Sequence, residues 1–187
     1  MKKIILLSLI FILNIIFICS AQNLNDREIN TELNSEYINS KKSYLGKLTS
    51  EELIEVRNAF ETELNTKIPE NKSILINFFQ YGKNCIVYRF NNETKENVAN
   101  NCIRLSSEIS NHYNAIDFFV YTEDALDKSI YAKREKFILD SGFFQKTVFT
   151  LQENCRAFFI LKSNGEFLKY YGEDYYSEVI NFLEKIK

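Results

Sequence analysis

The sequence predicts an α/β domain with helices on both faces of a central mixed sheet. Three observations carry this expectation. From Ser43 onward, stretches with helical period alternate with short apolar runs. Two of those runs, "SILINFF" and "AIDFFVYT", are nearly continuous in apolarity, as strands covered on both faces are. A third, "AFFILKSNGEFLKYYG", reads as a hairpin, with Asn164-Gly165 supplying the positive backbone angles of a tight turn. Alternation of strand and helix makes parallel pairs, and the hairpin adds antiparallel ones.

The chain opens with two lysines, an apolar stretch from Ile4 to Ile18 broken only by Ser8 and Asn14, and then Cys19-Ser20-Ala21. This is the three-part form of a secretory signal peptide, here residues 1–21, with small side chains before the cut. The run is shorter than the roughly 20 apolar residues that span a bilayer, so no membrane insertion is expected after cleavage. Lipidation at Cys19 is the alternative, and Ile18 before it speaks against that. Residues 22–42 are Asn-rich and weakly apolar, with Ile29, Leu33 and Tyr37 recurring every four positions: a poorly ordered or marginally helical segment. Residues 43–187 then make one domain.

Within it, "LTSEELIEVRNAFETEL" is a helix. Thr49 and Glu52 have capping-box spacing, and Leu53, Val56, Phe60 and Leu64 share a face. Pro69 ends that region. After the strand "SILINFF", the stretch "IVYRF" is open between strand and helix. "TKENVANNCIRLSSEISNHY" is helical, with Val98, Cys102, Leu105 and Ile109 along one face. A helix is expected from about Asp124 through "ALDKSIYAKREKFIL" to Gly142, whereas "FFQKTVFTLQEN" has no clean period. The last helix, "EDYYSEVINFLEKIK", buries Tyr176, Val179, Leu183 and Ile186. Acids at its start and lysines at its end suit the helix dipole.

Composition removes several function classes. The formal charge of -2, with Lys and Glu interspersed, offers no basic surface for nucleic acid. His112 is the sole histidine, and no glycine-rich phosphate loop occurs, so neither a metal nor a cofactor is expected. Glu51-Glu52 and Glu173-Asp174 need only the helix dipole to explain them. Beyond the signal, Cys85, Cys102 and Cys155 remain, an odd number that allows one internal pair. Cys102 shares a helical face with apolar residues and is expected in the core.

"ILINFFQYGKNC", the helix after "LTSEEL", and the hairpin "CRAFFILKSNGEFLKYYGE" resemble, in order and separation, the thioredoxin-like superfamily over residues 43–187. In that family a strand delivers a Cys-x-x-Cys motif whose first cysteine is the nucleophile. The matching positions here are Gly82, Lys83, Asn84 and Cys85, so the nucleophile is absent and only the resolving cysteine matches. A dithiol cycle needs one thiolate to attack and a second to release the mixed disulfide, so this motif alone cannot run it. Arg156 stands where the family places a proline. The resemblance also implies that Cys155 lies beside Cys85, as a structural disulfide or as an atypical redox pair. It thus points to an exported, periplasmic or secreted module that binds another exported protein or serves structure, with thiol-disulfide oxidoreductase activity through Cys85 and Cys155 as the alternative.

Overall fold

The computed structural model describes residues 28–173 and 176–184. The expected signal peptide, Cys19, Asp174, Lys185, Ile186 and Lys187 lie outside the described residues. A six-stranded mixed sheet forms the centre, and helices cover both faces. In chain order the elements are α1 (Ser35–Ser40), β1 (Lys42–Lys47), α2 (Ser50–Glu63), β2 (Ser73–Phe79), a 3-10 turn (Ile86–Arg89) and α3 (Asn92–His112). There follow β3 (Ala115–Tyr121), α4 (Lys128–Tyr131), β4 (Phe137–Leu139), α5 (Phe143–Thr147), β5 (Arg156–Leu161), β6 (Glu166–Tyr171) and α6 (Tyr176–Glu184).

The strand order is β1-β6-β5-β2-β3-β4. β2, β3 and β4 run parallel, while β5 pairs antiparallel with β2, β6 with β5, and β1 with β6. β2 is central and buried along its whole length, as its apolar run requires. Its side chains alternate between layers. Ile74, Ile76 and Phe78 join Phe60 of α2, Leu64 just after it and Phe144 of α5 on one face. Leu75 meets α6 on the other, and Phe79 meets residues of α3 and α4 there. Asn77, the polar interruption of that run, donates from its amide nitrogen to Ser106 Oγ on α3 at 2.9 Å and to Phe118 O at 3.1 Å. The buried amide is thereby satisfied.

The capping box of α2 is complete: Glu52 N donates to Thr49 Oγ1 at 3.2 Å, and Thr49 N donates to Glu52 Oε2 at 2.8 Å. Two helix expectations are revised by tertiary contacts, and the hairpin turn is adjusted locally. The open stretch "IVYRF" forms a 3-10 turn over Ile86–Arg89. The buried stripe of α3 is Lys95, Ala99, Cys102, Ser106 and Ser110, one position round from the apolar face, because Ser106 follows Asn77 and Lys95 pairs with Asp127 at 2.9 Å. The long helix expected over 124–142 shortens to α4, because Phe137 leaves it to stack among Phe79, Phe119 and Tyr131 as β4 pairs with β3. In the hairpin turn only Gly165 takes a positive φ, 85°; a bond from Gly165 N to Lys162 O and one from Lys162 N to Glu166 O close a three-residue loop.

From residue 28 on, the segment before β1 is anchored by Tyr37 and Ser40, with α1 as its short helix. Tyr37 is 1 % exposed, whereas Ile29 lies outside α1 and Leu33 faces solvent, so the four-residue spacing marks no buried face. Among the described residues no helix is long and apolar enough to cross a membrane.

Candidate functional site: a buried disulfide clamp

β2 ends at Phe79, and the chain turns through Gln80–Asn84 before the 3-10 turn begins. The loop entering β5 comes back beside it, because β5 is the antiparallel neighbour of β2 and Phe79 pairs with Arg156. Sequence-distant residues therefore meet at one end of the sheet. Cys85 and Cys155 form a disulfide across 70 residues, with Cα atoms 5.3 Å apart. Both are buried, at 2 % and 6 % exposure, whereas Cys102 is buried in the core on the inner face of α3 and takes no part in the disulfide.

Gly82 explains why this place holds no second sulfur on β2's own loop. A Cβ there would lie 2.2 Å from the carbonyl carbon of Asn154 and 2.3 Å from Cys155 N. Backbone, not a movable side chain, fills the space. The loop carrying Cys155 thus crosses the point from which a nucleophile at position 82 would project.

Asparagines hold the crossing shut. Asn84 pairs on both sides, bridging to Asn30 and to Asn154. Its amide nitrogen donates to Glu153 O at 3.0 Å, and its Oδ1 accepts from Asn30 Nδ2 at 2.7 Å. Asn154 Nδ2 donates to Ser40 O at 3.0 Å, and Gln80 Nε2 donates to Leu151 O and Asn154 O at 2.7 and 2.9 Å. Cys85 N donates to Asn30 O, and Cys155 N to Asn84 O. Three chain segments are thereby tied together around the disulfide. Lys83 alone among the motif positions is exposed, 3.6 Å from Glu153.

Charge gathers beside the sulfurs. A carboxylate oxygen of Glu173 and the two sulfurs lie within 4.8 Å of one another. Glu173 Oε1 accepts from Ile86 N at 2.5 Å and Oε2 from Val87 N at 3.1 Å, so this carboxylate caps the 3-10 turn from across the fold. Burial raises its pKa above the ordinary 4.5, with the Arg156 guanidinium and the two N–H donors pulling the other way. Arg156, itself buried, lies over the Phe79 ring at 5.5 Å. The neighbouring Tyr131 hydroxyl is raised strongly by burial. Sulfur bonded to sulfur offers no thiolate to a cation, so Cys85, Cys155 and Glu173 do not make a metal-ligand set while the disulfide stands.

Sequence reasoning placed Gly82, Lys83, Asn84, Cys85, Cys155 and Arg156 here, and the structure brings all six to one end of the sheet. It missed Glu173, assigned only to the dipole of the last helix. Gly172, at φ 149°, donates its N–H to Arg156 O, and the residue after it is delivered to the site. No local pattern announces that. Asn30, Ser40 and Asn154 were legible only as asparagine richness and polar loop.

Because the folded state favours protonated Glu173, its contribution to stability is present below pH 4.5 and declines as pH rises through the raised pKa. Urea denaturation across pH 4 to 8 is expected to show the wild type losing stability relative to Glu173→Gln over that rise. Parallel curves would refute the assignment.

Comparison with protein-family models, curated proteins and solved structures finds no match to this chain.

Proposed function

We propose that this chain is an exported thioredoxin-like domain that has lost dithiol catalysis and serves as a binding or structural module outside the cytoplasm. The observation that carries this is the buried clamp: both cysteines lie out of solvent, and the backbone of Asn154 and Cys155 occupies the space beside Gly82. A dithiol cycle requires an accessible thiolate, and this geometry offers none. The thioredoxin-like assignment is supported by central β2 between parallel β3 and antiparallel β5, by α3 following β2, and by a hairpin leading to the last helix. One feature is additional to the expected order: β4 extends the sheet beyond β3 at one edge, while β1 pairs with β6 at the other. Export accords with the signal-like opening of the sequence and with a disulfide, which persists in oxidising compartments.

One observation favours the alternative, an atypical redox pair. Glu173 sits within reach of both sulfurs with its pKa raised, as a group that moves a proton at a reacting thiol would be. Turnover separates the two. In an assay of disulfide reduction with a dithiol as electron source, the protein is expected to add nothing to the uncatalysed rate. Catalysis abolished by Cys85→Ser would establish the redox pair instead.

A further inference from the structure

A second feature lies apart from the clamp and shares no residue with it. α2 and α5 cover the β5–β6 part of the sheet incompletely, leaving an open cleft of about 310 Å³ between them. Phe60 and Phe159 are buried against it, and Val56, Val148 and Phe167 are partly buried around it. Gly46 helps to set this surface: a side chain there would meet the Phe167 ring at 2.5 Å, so the ring lies against bare backbone of β1.

One charged group stands in this apolar lining. Lys169, on β6, is half-buried, and its ammonium donates to Val148 O at 3.0 Å, 5.0 Å from the centre of the Tyr44 ring. No carboxylate of the described residues lies within ion-pair distance of it. Burial alone lowers its pKa, with no acidic neighbour to offset the desolvation. An ammonium carries three donors, and a charge removed from water without a counter-ion is costly. The same cleft thus combines apolar walls with a cation whose complement is a carboxylate.

We propose that this cleft binds a small monocarboxylate with an apolar body, a medium-chain fatty acid, its carboxylate on Lys169 and its chain along Phe60, Phe159 and Phe167. The volume sits at the lower end of small-molecule sites, about 300 to 1,000 Å³. It is also roughly twice the 150 Å³ at which an apolar cavity accepts benzene, which corresponds to about a dozen carbon atoms. Charge and apolar surface together select this class over a neutral alkane or an amine.

Calorimetric titration with decanoate below its micelle concentration tests the site, with decyltrimethylammonium as the charge-reversed control. The expected result is saturable binding of one decanoate and none of the ammonium compound. Lys169→Met keeps the apolar stem and removes the charge, and is expected to weaken decanoate binding tenfold or more, the scale of a charge-assisted hydrogen bond. Ala59→Phe, on the α2 wall, is expected to abolish binding while the thermal transition stays cooperative. If that variant unfolds, Lys169→Met together with Thr147→Tyr serves in its place. Absent or non-saturable binding, equal binding of the ammonium compound, or wild-type affinity in Lys169→Met would each overturn the proposal. Loss of redox inertness at the clamp would leave this outcome unaffected, so the two assignments fail separately.

Discussion

Replacing Gly82 with alanine is expected to destabilise the fold by about 3 kcal/mol or more, at or beyond the upper range for overpacking. At a position whose backbone an alanine tolerates, the same change stabilises by about 0.4 to 1 kcal/mol, through the unfolded chain. The sign reverses here because the added Cβ meets the Asn154 carbonyl carbon at 2.2 Å and Cys155 N at 2.3 Å. These atoms belong to a backbone segment fixed by the Asn84, Asn154 and Gln80 hydrogen bonds and by the disulfide. Relief therefore requires the whole crossing to open. Gly82→Cys, which recreates the spacing of a dithiol motif, is expected to lose the same stability and to gain no turnover. Urea denaturation of the alanine variant checks the first expectation. A stability equal to wild type would mean that the 151–155 loop does not lie where the clamp requires.

Cys155→Ser is expected to lower stability by about 4 kcal/mol, the loop-closure value for a bond spanning 70 residues. For a domain of this size that corresponds to a fall in Tm of roughly 10 °C. Both sulfurs are buried and Cys155 N is already bonded to Asn84 O, so the crossing is held by more than the covalent bond. The clamp should therefore weaken rather than scatter, and the variant should remain folded at room temperature. Reductant should lower the wild-type Tm by a similar amount and leave that of the variant unchanged. A wild type indifferent to complete reduction would remove the structural role of the bond.

Local chemistry was the legible part of this sequence. The Thr49–Glu52 box, the β2 run and the turn at Gly165 each depend on residues within a few positions of one another, and each stands in the structure. The stretch around 124–142 failed for a tertiary reason. Its helical spacing competes with an open edge on β3, and Phe137 packs against the rings of Phe79, Phe119 and Tyr131 by joining that edge. The α3 stripe shifted by one position for a similar reason, because the buried amide of Asn77 needs Ser106. Within the site, Gly82 looked like an omission and proves to be a steric requirement. Glu173 looked like a helix-start acid and instead caps a turn 86 residues away from it in the chain, at Val87. Partnerships across such distances exist only once the sheet order is set.

The central claim is that Cys85 and Cys155 form a staple rather than a working redox pair, and the reduction potential of that bond tests it most directly. The protein is equilibrated with dithiol buffers of known potential, and the fraction of free thiol is read by alkylation and mass spectrometry. A potential below about −300 mV, the range of structural disulfides, is the predicted result. A value between about −120 and −270 mV, where catalytic dithiols work, would contradict it and make Glu173 the first residue to study as the proton carrier.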